Sequence, residues 1–354
     1  MTTFDTARSA VVPVDAEAAR SAQDRQGQLT KPPGSLGLLE DLSVQLAAIA
    51  GNVPPPLPEP VTIAVFAADH GVVAEGVTAW PQDVTVQMLA NFASGGAAIN
   101  VLARHLDAHV TVVDVGVATD PPAPLPTVID RRIRRGTRNL VVEAAMTRAE
   151  TVAALDVGAT IAAEAIAAGS RLLVTGEMGI GNTTAATALV AALTGASPET
   201  IVGPGAAADA ATVARKAEAI RSALLRVGSD QDPLTLLGEL GGLEIAALVG
   251  YITAAAAQRI PVVLDGVIAD AAAVVAVALT PEVRGYLIAG HRSSEPAASR
   301  ALEHLGLTPL VDLHLRLGEG SGAALAVPIV QAAARILGEM ATFDSAGVSR
   351  KLED

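Results

Sequence analysis

The sequence predicts an α/β fold in which a parallel sheet is covered by helices. Short apolar runs alternate with Ala- and Leu-rich helical segments along the 354 residues, and no hairpin signal joins consecutive runs. Strands connected in this way lie parallel and are buried on both faces. Composition agrees, because 51% of the residues are hydrophobic but only 2% are aromatic. Small aliphatic side chains must therefore fill the core, which allows helices to pack closely on a sheet.

The composition also excludes several kinds of protein. The chain contains no cysteine, so we expect neither disulfides nor a thiolate metal ligand or nucleophile. Its formal net charge is −13 and it has no long run of Lys or Arg, which argues against a nucleic-acid partner. Residues 1–20 lack the apolar segment of a signal peptide, and the apolar stretch 245–257 is too short to span a bilayer. We therefore expect a soluble, cytoplasmic protein without a membrane partner.

Five apolar runs are the predicted strands. In chain order they are 61–67, 110–116, 172–174, 261–266 and 286–290. The first run ends at Asp69, His70 and Gly71. Polar residues at the carboxyl end of a buried strand lie where open α/β sheets bind ligands. A lone Asp-His-Gly is nevertheless more often a turn that the Asp caps.

The third strand leads into a glycine-rich stretch around which the chain is organised. Gly176, Gly179 and Gly181 remove side-chain bulk where the backbone turns and where a ligand could approach it. Asn182 and Thr183 follow where a helix begins, and an uncapped helix N-terminus attracts anions, phosphate above all. Glu177 needs a different partner, such as a sugar hydroxyl. The spacing matches neither the dinucleotide fingerprint nor the P-loop, and a plain strand-to-helix turn remains the alternative.

Helices are predicted between the strands, and capping residues mark the start of two of them. Thr147 and Glu150 form a capping box for a long helix that ends near Gly169. After the last strand, Ser293 or Ser294 is predicted to cap a helix with Glu295 and Pro296 in its first turn.

The stretch around Glu319 opens the last long helix. Four turns, 69–71, 176–184, 290–294 and 318–322, therefore follow strands or begin helices, and in a parallel sheet such turns meet at one edge.

At these turns the chain resembles a known enzyme family. The motifs are Thr30-Lys-Pro-Pro-Gly-Ser-Leu-Gly, Ala68-Asp-His-Gly-Val, Gly176-Glu-Met-Gly-Ile-Gly-Asn-Thr-Thr, Leu264-Asp-Gly, Gly290-His-Arg-Ser-Ser-Glu-Pro, Leu317-Gly-Glu-Gly-Ser-Gly-Ala and Met340-Ala-Thr-Phe. They resemble the nicotinate-nucleotide:dimethylbenzimidazole phosphoribosyltransferases and occur in one order over nearly the whole chain. That combination is far more specific than any single glycine loop.

The resemblance implies an enzyme that makes α-ribazole phosphate for the lower ligand of cobalamin. Its substrates would be nicotinate mononucleotide and 5,6-dimethylbenzimidazole, and it would use no cofactor and no metal. The fold would be a Rossmann-like parallel core with a smaller helical domain built from the chain-terminal parts. We assign 1–57 to the first part of that helical domain, 58–320 to the core and 321–354 to the helix that completes the small domain. A homodimer is implied as well.

The resemblance also suggests residue roles. Glu319 matches the general base that removes the benzimidazole proton. The matching substrate-binding residues are Glu177, Gly179, Ile180, Gly181, Asn182, Thr183, Lys216, Ser293, Ser294, Leu317, Gly318, Asp69, His70, Trp80 and Met88. Among them Lys216 would bind phosphate, either in its own subunit or across the dimer, and the segment from Val77 to Met88 would line the pocket for the flat base.

Each assignment has a plainer alternative. Lys216 could be a solvated helix lysine, Trp80 could be core rather than a stacking surface, and Glu319 could be a solvated residue in the first turn of its helix. At the level of function, the alternatives are a non-catalytic nucleotide- or benzimidazole-binding protein of the same fold and an unrelated nucleotide enzyme such as a kinase. The absence of Gly-Lys-Ser/Thr after the glycines argues against a kinase.

Overall fold

Six parallel strands form one sheet in the computed structural model, which describes residues 2–205, 209–228 and 232–349. The strands are β1 (Val61–Ala68), β2 (His109–Gly116), β3 (Val128–Asp130), β4 (Leu172–Met178), β5 (Val262–Leu264) and β6 (Leu287–Ala289). Their spatial order is β3-β2-β1-β4-β5-β6, and every neighbouring pair is parallel. The predicted parallel α/β fold is confirmed.

Helices cover the sheet and connect its strands. In the described part of the chain they are α1 (Thr3–Ala10), α2 (Ala16–Gln28), α3 (Leu38–Ala50), α4 (Val84–Ser94), α5 (Ala98–Leu106), α6 (Arg148–Ala167), α7 (Asn182–Thr194), α8 (Pro198–Ile201), α9 (Ala210–Val227), α10 (Pro233–Leu240), α11 (Leu243–Ala257), α12 (Val267–Leu279), α13 (Pro296–Leu305), α14 (Ser321–Glu339) and α15 (Phe343–Ala346). Short 3₁₀ turns occupy Gly71–Glu75 and Pro281–Tyr286. The capping box predicted at Thr147 and Glu150 begins α6.

The core has two main layers, one on each face of the sheet. Alternate residues of β1 divide between them: Ile63 and Val65 pack with residues of α3, α5 and α14, whereas Ala64 and Phe66 pack with residues of α6, α7, α11 and α12. The Phe66 ring meets the ring of Tyr251 edge-on, with the centroids 5.6 Å apart. All eight residues of β1 are buried, as expected for a central parallel strand with helices on both sides.

The chain changes direction across the sheet between β1 and β4. From β1 the chain adds β2 and β3 on one side, and β4 to β6 extend the sheet on the other. The two central strands pair from Val61 with Leu172 to Ala67 with Met178. Open parallel sheets leave a crevice beyond the carboxyl ends of the strands at such a reversal, and ligands bind there.

Three elements differ from the sequence-based prediction. Strand β3 was not predicted, because only three residues at the sheet edge pair with β2, and helix α12 was not predicted either. Strand β4 continues through Gly176 and Glu177, which were predicted to lie in a turn. A Cβ atom at Gly176 would lie 2.7 Å from the Glu319 carbonyl oxygen. Glycine is therefore needed here for close approach of another segment, and the turn begins only at Gly179.

The chain-terminal helices pack on one another. Ala22 of α2, Ala47 of α3 and Leu337 of α14 form a small apolar cluster. The Arg25 guanidinium donates to the carbonyls of Leu337 (2.6 Å) and Gly338 (3.1 Å) at the end of α14. The first half of α14 instead packs on the sheet, so this helix contacts both parts of the chain. The division into 1–57, 58–320 and 321–354 stays a prediction.

Two helical stretches are long and apolar enough, by length and composition alone, to cross a membrane: Val84–Leu106 and Ser321–Glu339. The first comprises α4 and α5, which are separated at Gly95, a residue with φ of +77°. The second is α14, which buries Ala323, Val327 and Val330 in the layer against the sheet. Core helices of water-soluble proteins commonly meet the same criteria.

Helices α6 and α11 approach each other through two glycines, and this contact yields a stability prediction. A Cβ atom at Gly158 would lie 1.7 Å from the Ala247 carbonyl oxygen, and one at Gly250 would lie 2.0 Å from that of Leu155. Gly158→Ala should force the helices apart and lower the free energy of unfolding by about 1–3 kcal/mol or more. The exposed Gly27 in α2 has no atom within 4 Å of an added Cβ. Gly27→Ala should therefore stabilise the protein by roughly 0.5–1 kcal/mol. Urea unfolding of both variants tests this, and a Gly158→Ala protein as stable as Gly27→Ala would contradict it.

Candidate active site

Two adjoining clefts open at the carboxyl ends of β1 and β4. The inner cleft has a volume of about 660 Å³, and it is lined by Glu177, Met178, Gly179, Ile180, Asn182, Thr183, Gly205, Gly266, Val267, Ile268, His291, Ser293, Glu295, Arg316, Leu317 and Gly318. The outer cleft has a volume of about 420 Å³, and it is lined by Val77, Thr78, Ala79, Trp80, Gly179, Ile180, Gly181, Asn182, Thr183, Pro204, Gly205 and Lys216. The segment Gly179–Thr183 forms a wall of both clefts.

The turn from β4 to α7 forms this shared wall. Gly181 immediately precedes the helix with φ of +92°, and no side chain caps the helix N-terminus. A Cβ atom at Gly179 would lie 2.3 Å from the Ala68 carbonyl oxygen, and one at Gly181 would lie 2.9 Å from Cγ2 of Val73. Glycine is needed at both positions because the turn packs directly on the end of β1 and the residues after it. The uncapped N-terminus has the geometry of an anion site.

Lys216 of α9 is the cation of the outer cleft. Its ammonium donates to the Thr183 hydroxyl (3.1 Å) and to the Gly203 carbonyl (2.9 Å), and the residue is only 1% exposed. Burial lowers the pKa of the Lys216 ammonium, and the Glu295 carboxylate opposes that shift. The alternative of a solvated helix lysine is wrong. The ammonium lies beside the first turn of α7 in the same protein chain.

Glu177 is the buried carboxyl of the inner cleft. The Asn182 side-chain amide donates to its Oε2 atom, and a Cβ at Gly318 would lie 2.3 Å from its Oε1 atom. Burial raises the pKa of Glu177 to about 8, and the charges of Asp265, Glu244 and Glu319 raise it as well. The hydrogen bond from Asn182 lowers the pKa but does not cancel this shift. In the protein alone at neutral pH this carboxyl is therefore mostly protonated, and it can both donate and accept hydrogen bonds.

Glu319 lies on a turn of left-handed backbone conformation. Its φ is +66°, and its neighbours Gly318 and Gly320 have φ of +87° and +90°. Its carboxylate accepts a hydrogen bond from the N–H of Ile99 at the start of α5 (3.3 Å), and its own N–H donates to the Glu177 carbonyl (3.3 Å).

The environment of Glu319 differs from that of a surface helix residue. It is 5% exposed, and α14 begins only at Ser321, so the alternative of a solvated first-turn glutamate is wrong. Burial raises the pKa of Glu319 with help from the Asp265 charge, and the Ile99 N–H opposes this shift. The side chain lines neither cleft itself, although Leu317 and Gly318 before it line the inner one.

Asp265, which follows β5, fixes the position of this turn. Its carboxylate accepts hydrogen bonds from the N–H groups of Gly320 (3.2 Å), Gly322 (2.8 Å) and Ala323 (3.0 Å), and His291 Nε2 lies 3.6 Å away. It thereby caps α14 from another part of the chain. The Leu264-Asp-Gly motif drew attention to this residue, but no role followed from the sequence because the three N–H groups that it binds lie more than fifty positions away.

Asp69 and His70 lie behind the clefts and line neither of them. The Asp69 carboxylate accepts from the Thr85 hydroxyl (2.7 Å) and from the Ala118 N–H (2.8 Å), while the Thr85 oxygen accepts from the Ile180 N–H (3.2 Å). A chain of hydrogen bonds thus connects the end of β1 to the shared wall.

His70 Nε2 lies 2.7 Å from the Glu244 carboxylate, and both side chains are fully buried. Burial alone would lower the pKa of His70, but the Glu244 charge and hydrogen bond raise it above its ordinary value. This pair lies next to the turn, since a Cβ at Gly181 would lie 3.5 Å from the His70 Cβ.

The remaining predicted residues are spread around the clefts. Trp80 is 47% exposed and lines the outer cleft, so the alternative that it belongs to the core is wrong. Met88 is half-buried against the layer that contains Ile99, and it lines neither cleft. Leu317 is exposed on the inner cleft.

Ser293 and Ser294 differ in their surroundings. Ser293 is buried on the inner cleft, and its hydroxyl accepts from the Glu295 N–H (3.3 Å). Ser294 is exposed and bonds to the Leu315 carbonyl through its N–H (3.1 Å). The prediction that one of them caps the following helix is wrong. The residue before α13 is Glu295, its side chain does not cap the helix, and Pro296 begins it.

Two charged residues of the inner cleft were missed as site residues. Glu295 is buried, its Oε1 accepts from the Gly205 N–H (2.8 Å), and its Oε2 has no hydrogen-bond partner in the described residues. Arg316 donates from Nη1 to the Gly205 carbonyl (3.0 Å). Both therefore contact the backbone of Gly205. Residues 2–205, 209–228 and 232–349 contain no group of His, Asp and Glu side chains arranged to hold a metal ion.

Comparisons with known proteins show the family and the fold. A family model described as phosphoribosyltransferase matches residues 11–348. A protein of Salinispora tropica named nicotinate-nucleotide–dimethylbenzimidazole phosphoribosyltransferase is 56% identical, with 97% of this chain and 98% of that protein covered. One of the same name from Chloroflexus aggregans is 52% identical, with 96% of each covered. A crystal structure of the enzyme so named from Thermus thermophilus superposes with a TM-score of 0.90 at 48% identity, covering 95% of this chain and 100% of that one.

Proposed function

The chain belongs to the nicotinate-nucleotide–dimethylbenzimidazole phosphoribosyltransferase family, and from that premise we propose how its two clefts bind the substrates and which group moves the proton. The enzyme transfers the phosphoribosyl group of nicotinate mononucleotide to 5,6-dimethylbenzimidazole. The products are α-ribazole 5′-phosphate, used for the lower ligand of cobalamin, and nicotinate.

The reaction exchanges one C–N bond at the anomeric carbon for another. The pyridinium of the nucleotide leaves with the bonding electron pair as a neutral ring, through a transition state that resembles an oxocarbenium ion. A benzimidazole nitrogen attacks from the opposite face, which inverts the β linkage to α. The N–H proton of the incoming base must go to an acceptor, and a carboxylate close to the apolar base is suited to take it.

The nucleotide phosphate binds at the outer cleft. The uncapped start of α7 offers backbone N–H groups and the positive end of the helix dipole, and the Lys216 ammonium is held beside Thr183. The ribose then extends into the inner cleft, where Glu177 and Ser293 can bond to its hydroxyls. Asp69 and His70, which line neither cleft, act by holding the shared wall in position.

The benzimidazole binds between the inner cleft and the turn of Glu319. Met178 and Leu317 line that side of the cleft, and Met88 belongs to the same apolar layer as Met178. The observation that carries this proposal is the buried Glu319 carboxylate, whose pKa is raised and which has no cation bonded to it in the described part of the chain. A non-catalytic binding protein needs no base at this position, and this alternative is not favoured.

Glu319→Gln tests the assignment of the base. The amide keeps the size and can still accept from the Ile99 N–H, but it cannot take a proton. Turnover should fall by roughly 10²- to 10⁴-fold while nicotinate mononucleotide affinity changes little. In the parent, activity should fall as the pH drops through the raised pKa of Glu319, because the protonated carboxyl is no base. Steady-state kinetics as a function of pH, with melting followed in parallel, measures both effects.

Glu339→Gln is the matched control for this substitution. Glu339 is exposed at the opposite end of α14, where it pairs with Arg335. Its loss should leave turnover within about threefold of the parent, the range of an ordinary surface change. Turnover of Glu319→Gln within the same range would contradict the assignment of the base.

Gly181→Val tests the phosphate site. The added side chain would meet Val73 and distort the shared wall, so affinity for nicotinate mononucleotide should fall at least about tenfold. Gly195→Val is the control, because Gly195 ends the same helix with φ of +68° and has no atom within 4 Å of an added Cβ. Both variants place valine at a positive φ and carry the same kind of backbone strain, so a difference between them reports the position in the wall. Equal calorimetric affinities of the two variants for nicotinate mononucleotide would refute the phosphate site.

A homodimer in the cytoplasm completes the proposal, with small molecules as the only substrates and with no nucleic acid or membrane partner. The support is the apolar composition, which leaves surface to be covered, and residues such as Val101 and Val142, which are 53% and 69% exposed. Sedimentation at micromolar concentration should show the dimer. A single species near 35.6 kDa would contradict it.

A further inference from the structure

The two clefts each contain one cation. Among the described residues that line them, Lys216 is the only Lys or Arg of the outer cleft, and Arg316 is the only one of the inner cleft. Both side chains contact the segment between Gly203 and Gly205, but they line different clefts. Lys216 lies with the start of α7, whereas Arg316 lies just before Leu317 and Gly318, on the path to Glu319.

The guanidinium of Arg316 has unused hydrogen-bonding capacity. One Nη1–H donates to the Gly205 carbonyl, which fixes the orientation of the planar group. No other hydrogen bond or ion pair of this side chain is formed within residues 2–205, 209–228 and 232–349. An arginine has five N–H donors in a fixed fork that matches a carboxylate. The remaining donors can therefore bind a planar anion without breaking the contact to Gly205.

The other charges of the inner cleft make a cation necessary for an anionic ligand. Glu177 and Glu295 both line it, and both are more than nine-tenths buried. Glu177, mostly protonated at neutral pH, suits a sugar hydroxyl group, whereas a carboxylate such as that of Glu295 repels a second carboxylate. Nicotinate mononucleotide has two separate anionic groups, the phosphate and the ring carboxylate. If the phosphate binds at the outer cleft, the ring carboxylate enters the inner one.

We propose that Arg316 binds the carboxylate of the nicotinate ring and makes the enzyme select the nicotinate nucleotide over the nicotinamide nucleotide. This inference rests on the proposed function. The amide of nicotinamide has no charge and presents an N–H₂ group to the guanidinium, so it gains little from the contact. The contribution of Arg316 is to binding of the leaving group, whereas Glu319 acts on the incoming base.

The test compares Arg316→Gln and Arg316→Lys with the parent on two nucleotides. With nicotinate mononucleotide, kcat/KM of Arg316→Gln should fall by about ten- to a hundredfold, the usual value of a hydrogen bond to a charged group. With nicotinamide mononucleotide it should stay within about threefold of the parent. Arg316→Lys keeps the charge but loses the fork, so its loss should be intermediate. Arg292→Gln removes a charge from a nearby exposed arginine that lines neither cleft, and it should leave the ratio of the two substrates unchanged.

An equal fall with both nucleotides means that Arg316 contacts the phosphate or only supports Gly205, and no fall with either means that it contacts neither; both results overturn the inference. Calorimetry with free nicotinate provides a test that needs no turnover: binding to the parent should be lost in Arg316→Gln, and equal binding refutes the proposal. If the parent binds nicotinate but transfers no phosphoribosyl group to dimethylbenzimidazole, the proposed function fails while the role of Arg316 stands.

Discussion

The pairing of β1 with β4 is the constraint on which the whole site depends. These two strands are adjacent in the sheet although more than a hundred residues separate them, and the chain extends the sheet in opposite directions from them. Their carboxyl ends bring the Asp69 region and the β4–α7 turn together. Hydrogen bonds from Ile180 through Thr85 to Asp69 then fix the distance between them. Both clefts open above this junction, as expected for a reversal of strand order.

The second organising feature is an excess of buried carboxyl groups at that junction. Glu177, Glu319 and Asp265 are each at most 6% exposed, and burial, followed by the charges of neighbours in this group, raises the pKa values of Glu177 and Glu319. Asp265 is satisfied by the N–H groups of α14, but the other two keep capacity for a ligand. Burying such groups costs folding free energy. Under the proposed function, those carboxyl groups that are ionised would stabilise the positive charge that develops at the sugar in the oxocarbenium-like transition state.

The sequence was sufficient for features that are local. Apolar runs identified the main strands, and glycines followed by Asn182 and Thr183 identified the turn at which α7 begins. It was insufficient where the environment comes from distant segments. Lys216 is buried where it bonds to Gly203 and Thr183, and glycine is needed at position 176 because the Glu319 backbone lies against it. Likewise, Asp265, Glu295 and Arg316 act through backbone groups at distant positions, so no spacing rule could have found them.

The left-handed conformation of Glu319 has a consequence for protein engineering. A non-glycine residue at φ of +66° carries strain of about 1–3 kcal/mol, and burying its carboxyl adds to that cost. Glycine would adopt this backbone freely. Directed evolution that rewards heat resistance alone would therefore drive this position toward glycine and collect folded proteins that lack the proposed base. A library of variants designed to raise the thermal stability of the enzyme must therefore keep Glu319 unchanged, or each round must also select for product formation.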